Sequence, residues 1–480
     1  MARKKKKDIV LQRVLIENYA AEGKSLAHYE GKVVFVEQAV PGDLVDIRLT
    51  KNKKDWAEGV PVHFHSFSED RVAPFCSHFG ICGGCQWQML PYSKQLEYKQ
   101  KQVVDNLQRI GKVSLPEVLP IIGATETQYY RNKLEYTFAT SLFLPPEEHI
   151  RRIEEQKSQP LPQSNPDPVG GAGFHARGFW SKVVDIQKCY LQAEPTNELR
   201  LAVKNFALAN GYSFYDLRQQ RGFLRTMQVR LCNTGELMVN IVFGENDQEK
   251  IKNMMEQVLQ NFPAITSLLY TVNIKHNDSI HDLEPISYFG KGFVIEKLEE
   301  FQFKIGPKSF FQTNTQQAAR LYNIVREFTQ MTGTETLYDL YCGTGSIGIF
   351  CSRQAKKVIG VEVIAEAIED AKENAVLNEL EKTHFYTGDV ADLCTDAFFA
   401  QHGQPDVIVT DPPRAGMHEK LVKKINESNA PVVVYVSCNP ATQARDLALL
   451  DEKYAVTKIQ PVDMFPHTLH IENVVQLKLR

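Results

Sequence analysis

The chain is 480 residues long, 43% hydrophobic and 24% charged, with a formal net charge of −3 and nine cysteines. This length suits roughly two to four domains, each with its own core, and the overall charge gives no sign of a nucleic-acid partner. No apolar run approaches a membrane span, and an odd cysteine count in a long chain argues against a disulfide framework and for a reducing cytoplasm.

The first charged run, Arg3-Lys4-Lys5-Lys6-Lys7, reads as a solvated tail with phosphate binding as a second role. No apolar segment follows it, so a secretory signal is not expected. Residues 8 to about 67 alternate apolar and polar positions between turn signals, a pattern that predicts a small β-barrel of the OB type. Lys51, Lys53, Lys54 and Trp56 fall where such a barrel would carry a nucleic-acid face, although a solvated loop accounts for the lysines nearly as well. Next comes Cys76-Ser-His-Phe-Gly-Ile-Cys82-Gly-Gly-Cys85. Three cysteines this close, two of them around paired glycines, are a metal signal, because the glycines let the backbone wrap and aim several thiolates at one centre. Cys189 is the best remaining candidate for a fourth ligand. By spacing alone an iron–sulfur cluster and a four-cysteine zinc site fit equally well; His78 could replace a cysteine but reads rather as solvent-facing.

Residues 92–110 form an amphipathic helix stopped by Gly111. A β-rich stretch begins at Arg131 and is interrupted by residues 144–172, rich in proline, glutamate and serine, which read as an exposed insertion. Strand patterns resume at 173–179, 226–231, 237–243 and 267–273, giving a mixed α+β middle domain. From about residue 307 strands alternate with helices, the mark of a doubly wound parallel sheet. Thr336-Leu-Tyr-Asp-Leu-Tyr341-Cys-Gly-Thr-Gly-Ser346 runs from a strand through a glycine turn into a helix. Its spacing is neither that of a dinucleotide fingerprint nor that of a P-loop. The next strand ends at Glu362, whose carboxylate suits two ribose hydroxyls; Gly-Asp389 and Asp411-Pro-Pro-Arg414 close the following two. That ordered set points to an S-adenosylmethionine pocket. The stretch Pro431-Val-Val-Val-Tyr-Val-Ser-Cys438-Asn-Pro440 is a strand buried on both faces and stopped by Asn-Pro, which puts Cys438 at the edge of the sheet where ligands bind. Taken alone, a cysteine there is more often structural than nucleophilic.

The segments Asp411-Pro-Pro-Arg-Ala-Gly, Val434-Tyr-Val-Ser-Cys-Asn-Pro-Ala-Thr and Val462-Asp-Met-Phe-Pro-His-Thr-Leu-His-Ile-Glu472, with Lys308-Ser-Phe-Phe-Gln312 upstream, closely resemble the RNA uracil-5-methyltransferase family over nearly the whole chain. The resemblance implies a TRAM barrel at residues 1–67, an iron–sulfur and α+β domain at 68–306, and a Rossmann-like class I methyltransferase domain at 307–480. It implies a four-iron four-sulfur cluster on Cys76, Cys82, Cys85 and Cys189, as in the ribosomal-RNA branch. It also implies contacts to S-adenosylmethionine from Gln312, Tyr341, Glu362 and Asp411, with Asp389 on the adenine side and Ser346 at the helix start. The departures are the 144–172 insertion and Ser346 where some members carry asparagine.

The chemistry that such a site needs follows from the base. Carbon 5 of uracil is a poor nucleophile until a thiolate, here Cys438, adds to carbon 6 and turns the ring into an enolate; carbon 5 then takes the methyl group in line. A base must remove the carbon-5 proton so that the cysteine can leave, and Glu472 stands in the family's base position. Asp411 and Gln312 are placed to hydrogen-bond the uracil edge or the cofactor. Arg414 either holds the cysteine loop or a phosphate, or forms an internal ion pair. Cys232, Cys342, Cys351 and Cys394 read as inert. The expected substrate is structured RNA with a flipped uridine, 23S ribosomal RNA first, acted on by a cytoplasmic monomer. The alternatives are a transfer-RNA methyltransferase of the same chemistry and a non-catalytic RNA-binding iron–sulfur protein.

Overall fold

The computed structural model describes residues 9–20, 23–144 and 170–480. The basic run at 3–7 and all of the 144–172 insertion except 144 and 170–172 lie outside the described residues. The amino-terminal strands Val10–Leu15, Asn18–Tyr19, Ser25–Tyr29, Lys32–Val36, Leu44–Asn52 and Trp56–Ser66 form a six-stranded sheet. Alternating residues from it, among them Val14, Ala27, Val34, Val36, Val45, Ile47 and Ala57, make a small closed core, as the period-2 pattern requires. Gly59 is needed there because a Cβ would fall 2.3 Å from the Ile47 side chain. Trp56 packs edge-on to Phe35 at 6.3 Å, and Lys51 is paired with Glu58 at 2.9 Å, while Lys53 and Lys54 remain exposed. Buried Asp43 ties the barrel to the segment after it. It takes the Arg71 guanidinium at 2.7 Å and the N–H groups of Val40 and Ser68 at 2.7 and 2.9 Å.

The predicted helix is Tyr92–Asn106, continued by one wider turn to Gly111, where Lys112 turns left-handed. A seven-stranded mixed sheet comes next. Its order is Ile286–Gly290, Ser267–Val272, Leu237–Phe243, Leu224–Leu231, Lys133–Ala139, Gly171–His175 and Val183–Asp185, and the helices Thr196–Ala209 and Gln248–Asn261 share its core. The strand expected over 173–179 ends at His175, because Gly178 at φ +75° turns the chain into a hairpin. A second hairpin, Val294–Leu298 with Phe301–Ile305, falls inside the expected middle domain. Its residues Val294, Leu298, Phe301 and Phe303 nevertheless belong to the core of the carboxyl-terminal domain.

That last domain is a seven-stranded sheet. In chain order its strands are β1 (Thr336–Leu340), β2 (Lys357–Glu362), β3 (Thr383–Thr387), β4 (Val407–Thr410), β5 (Val432–Ser437), β6 (Tyr454–Val462) and β7 (Glu472–Leu479). In space they run β3-β2-β1-β4-β5-β7-β6, the first five parallel and β7 antiparallel to both β5 and β6. Val433 to Val436 are all fully buried. Val434 and Val436 meet the helix Thr315–Thr329 on one face, and Val433 and Tyr435 meet the helices Glu419–Ser428 and Pro440–Leu450 on the other. This is the two-sided burial expected of a parallel strand. Among the described residues no helix is long and apolar enough to cross a membrane.

Candidate active site

The carboxyl ends of β1, β2, β3, β4 and β5 gather the candidate residues along one edge, where open α/β sheets hold ligands. After β1 the chain turns through Tyr341, Gly343 and Gly345 at φ +62°, +53° and +77°. At Gly345 a Cβ would lie 2.6 Å from the Phe385 ring, whereas Gly343 faces open space. Glu362 closes β2; its Oε2 accepts the Gly343 N–H at 3.3 Å and its Oε1 those of Val363 and Ile364 at 2.8 and 3.1 Å. Asp389, after β3, caps a short helical turn by accepting the Ala391 N–H at 2.9 Å. Tyr341 is half-buried, and burial, with the carboxylates of Asp389 and Glu362 nearby, pushes its phenol up to about 12. Gln312 is buried, its carbonyl taking the Asn132 amide at 3.0 Å. The Ser346 hydroxyl is 3.0 Å from that of buried Tyr322. Val363 and Ile364 stay exposed beside Glu362 although both are large and apolar.

Cys438 follows β5 directly. Asn439 then caps the next helix, accepting the Ala441 N–H at 3.2 Å, with Pro440 at its first position. The proline expected to stop the strand therefore also starts a helix, and Cys438 is caught in the turn between them. Glu472 opens β7, and because Ser437 pairs with Asn473 in the antiparallel ladder, Glu472 and Cys438 face each other across neighbouring strand ends. Asp411, just after β4, joins them. Burial pushes the Cys438 thiol up to about 12, helped by Glu472 and Asp411 and opposed by Arg414. Burial and the Asp411 charge hold Glu472 well above the ordinary carboxyl range, with Arg414 again opposing. Burial raises Asp411 to about 7. Two like charges buried in one place each disfavour the other's ionisation. Arg414 makes no ion pair among the described residues. Its carbonyl takes the Asn439 amide and the Thr442 hydroxyl at 3.0 and 3.3 Å, which ties the Asp411 loop to the Cys438 turn.

Several residues beside this site had no signal in the sequence. The loop that leads to Glu472 is clamped by Lys99, whose Nζ lies 2.6 Å from Asp463 Oδ1 with both side chains fully buried. Tyr92 donates to the other Asp463 oxygen at 2.8 Å, and Lys99 also donates to the Phe465 carbonyl at 3.2 Å. The His467 carbonyl accepts the N–H groups of Gln86 and Trp87 at 2.8 and 3.1 Å, and its own N–H donates to Gln95 at 2.9 Å. Arg131 lies 5.0 Å over the Phe465 ring.

The candidate metal ligands also come together. Cys76, Cys82, Cys85 and Cys189 line one cavity walled by Phe79, Phe174, Ile186 and Leu191. Cys189 arrives there because Tyr129 and Arg131 donate their N–H groups to the carbonyls of Tyr190 and Leu191 at 2.7 and 2.8 Å. Gly83 fits only as glycine, since a Cβ would sit 2.8 Å from the His175 carbonyl. Burial pushes Cys85 up to about 12 and Cys189 up to about 11, with the other thiols adding to it. His78 is not simply solvent-facing: it is half-buried, lines the cavity, and its Nε2 takes the Gln187 N–H at 3.4 Å. Among the described residues no three His, Cys, Asp or Glu side chains form a group that could hold a metal ion.

A barrel followed by a Rossmann-like domain, with a glycine turn and carboxylates along one sheet edge, defines a nucleic-acid methyltransferase architecture. The profile of the tRNA (Uracil-5-)-methyltransferase family matches residues 224–480 and that of the TRAM domain residues 11–62. An uncharacterized RNA methyltransferase of Bacteroides thetaiotaomicron is 50% identical, with 96% of this chain and all (100%) of that protein covered. One from Porphyromonas gingivalis is 48% identical, with 96% and 98% covered. Among solved structures, the Pyrococcus abyssi tRNA (uracil-54, C5)-methyltransferase in complex with S-adenosyl-L-homocysteine superposes with a TM-score of 0.73 at 29% identity, covering 97% of this chain and 100% of that one. The chain belongs to the tRNA (uracil-5-)-methyltransferase family and is an S-adenosylmethionine-dependent RNA methyltransferase. That membership sets aside the expectation of a non-catalytic RNA-binding protein.

Proposed function

We propose that this enzyme methylates carbon 5 of a uridine in RNA through a covalent adduct on Cys438. The observation that carries the reading is that Cys438 and Glu472 are the residues next to the Ser437–Asn473 pair at two adjacent strand ends, with Asp411 and Arg414 acting on both. S-adenosylmethionine supplies an electrophilic methyl sulfonium when bound. The turn at Tyr341 and Gly343, the carboxylates of Glu362 and Asp389, the backbone of Ser346 and the side chains of Gln312 and Asp411 would hold it. Exposed Val363 and Ile364 offer a flat apolar wall for an adenine. Cys438 Sγ adds to carbon 6 of the uracil as the thiolate, its proton having passed to solvent, which leaves Glu472 free to act as a base. The electron pair would reach carbon 5, which takes the methyl group from the sulfonium as that carbon–sulfur bond breaks and S-adenosylhomocysteine leaves. Glu472 then removes the carbon-5 proton, and the C6–S bond breaks to regenerate the thiolate. A carboxyl raised by burial and a like-charged neighbour is a base poised nearer to neutrality than a free glutamate.

The four cysteines fit a four-iron four-sulfur cluster better than a single zinc ion. The four thiols line one apolar pocket without converging as a metal-ion group, whereas zinc needs its ligands converged within about 2.3 Å of one point. Cys76, Cys82, Cys85 and Cys189 would hold the cluster as thiolates. The first substrate to test is 23S ribosomal RNA, on the strength of the barrel and these cysteines. A transfer-RNA uridine is the second, favoured by the name of the Pyrococcus abyssi enzyme and its coverage of both chains.

The test is adduct trapping. With radiolabelled S-adenosylmethionine and bulk RNA, Glu472→Gln accumulates a methylated protein–RNA complex that survives denaturation, because the carbon-5 proton stays in place. Normal turnover by Glu472→Gln removes that residue as the base.

A further inference from the structure

Between Gly171–His175 and Val183–Asp185 the chain makes a tight hairpin tip that the candidate active site does not use. Its geometry is firmly set: Ala176 N–H donates to the Lys182 carbonyl at 2.8 Å, Phe179 N–H to the Ala176 carbonyl at 3.0 Å, and Gly178 takes φ +75° in open space. The base of the hairpin is stitched to the cysteine segment, with Gly83 N–H on the His175 carbonyl and Arg177 N–H on the Ile81 carbonyl, both at 3.0 Å. That segment in turn meets the barrel through the Gln38 amide on the Gly80 carbonyl at 2.8 Å.

A rigid, anchored turn would normally carry polar residues at its tip. Here the sequence is Gly178-Phe-Trp-Ser-Lys182, and Trp180 is 72% exposed and Phe179 48%. Phe179 is braced against Phe143 at 5.5 Å, while Trp180 stacks on no ring among the described residues. Two cations flank the pair. Lys182 Nζ lies 6.0 Å over the Phe179 ring, and the Arg218 Nε donates to Ser181 Oγ at 3.3 Å. Asp216 takes the backbone N–H of Arg218, at 2.9 Å, rather than its guanidinium. Arg177 is turned inward, to the Cys85 carbonyl at 3.4 Å, and is not part of the patch.

We propose that this tip is a base-stacking finger for an unpaired nucleotide of the RNA substrate. Trp180 is the platform, and Lys182 and Arg218 take the flanking phosphates. An indole offers every base a π-face, and cations either side favour a polyanion over an apolar protein surface. The proposal rests on the enzyme acting on RNA and not on the role of Cys438.

The test measures binding by the full-length protein without S-adenosylmethionine, to a short labelled single-stranded RNA and to the same RNA annealed to its complement. Trp180→Ala should weaken single-strand binding about tenfold, within the roughly 5- to 150-fold that one stacked base is worth, and leave duplex binding unchanged. Trp180→Phe should keep most of the affinity, and Trp180→Leu should lose it as alanine does. Quenching of tryptophan emission by RNA should shrink in Trp180→Phe. Lys182→Gln with Arg218→Gln should weaken both RNAs and flatten the salt dependence, by about 0.7 in slope for each single-strand phosphate left without its cation. S-adenosylmethionine binding, unchanged throughout, reports an intact fold. Wild-type single-strand affinity in Trp180→Ala would overturn the proposal. So would leucine substituting as well as phenylalanine, which would mark an apolar dock for protein instead.

Discussion

The enzyme holds functional-type cysteines in two settings, and they are buried in opposite kinds of company. Cys438 stands at a strand end among carboxylates, with Arg414 as the one opposing charge that shapes its titration. Cys76, Cys82, Cys85 and Cys189 sit in loops around an apolar cavity, each made less acidic by burial and three of them also by one another's charge. Burial raises the thiol pKa in both places, so burial does not tell a nucleophile from a ligand. The neighbours do. A thiol beside acids can lose its proton transiently and regain it, which a catalytic cycle requires. The four thiols line a largely apolar cavity together with His78, Gln88 and Lys188, and thiolates gathered there would need a lasting positive charge between them.

The sharpest way to break this contrast is to exchange the losses. Cys438→Ala should abolish methyl transfer and adduct formation while iron content and S-adenosylmethionine binding stay as in the wild type. Cys85→Ala should lose most of an expected complement of about four irons per chain in anaerobically purified protein and melt at a lower temperature. Iron loss in Cys438→Ala, or zinc in place of iron in the wild type, would collapse the distinction.

A smaller effect tests what holds the base. Lys99→Met leaves the Asp463 carboxylate buried without its cation and should cost roughly 3–5 kcal/mol, read by thermal or denaturant unfolding. Lys101→Met removes the exposed pair with Asp105 at 2.9 Å and should cost under about 1 kcal/mol. Equal costs would mean that the clamp on the catalytic loop is no stronger than a surface ion pair.

The smallest expected change is a displaced pH limb. The raised pKa values of Asp411 and Glu472 keep a proton on the folded site where a free carboxyl has already lost it. Turnover should therefore climb with pH above the ordinary carboxylate range, as Glu472 gives up a proton that it holds well beyond that range. By the same linkage, Asp411, raised to about 7, makes folding less favourable as pH rises from the unfolded carboxylate range to about 7, with the loss constant above it. Asp411→Asn takes away the like charge that raises Glu472 and should move the acid limb to lower pH, measured on single turnovers to separate it from cofactor affinity. A limb that stays in place would mean that Glu472 is not the titrating group.

How much of this could be read in the sequence depended on distance along the chain. The β5 strand and the turn at Cys438 were legible because apolar continuity and Asn-Pro act locally. The order of glycine turn, Glu362, Asp389 and Asp411 was legible because parallel strands repeat their ends at one edge. Glu472 was visible only through the family resemblance, since nothing local says that β7 returns antiparallel beside β5. Cys189 likewise depended on resemblance; residues 129–131 bring it to the cavity. Lys99 looked like one more polar residue of an amphipathic helix, yet the buried positions of that helix are Gln95, Lys99 and Val103, and their partners lie near the other end of the chain. The hairpin over 294–305 falls in the middle domain by sequence order, whereas its packing joins it to the last one.

The grip on the loop before Glu472 also bears on how the protein is made. Lys99 and Asp463 are separated by 364 residues, and Gln95 and His467 by 372. A ribosome therefore finishes the barrel, the cysteine lobe and six strands of the last sheet before the partner of Lys99 emerges. Until then that lysine has no carboxylate to enter the interior with, and the turn at Cys438 stands without its acid.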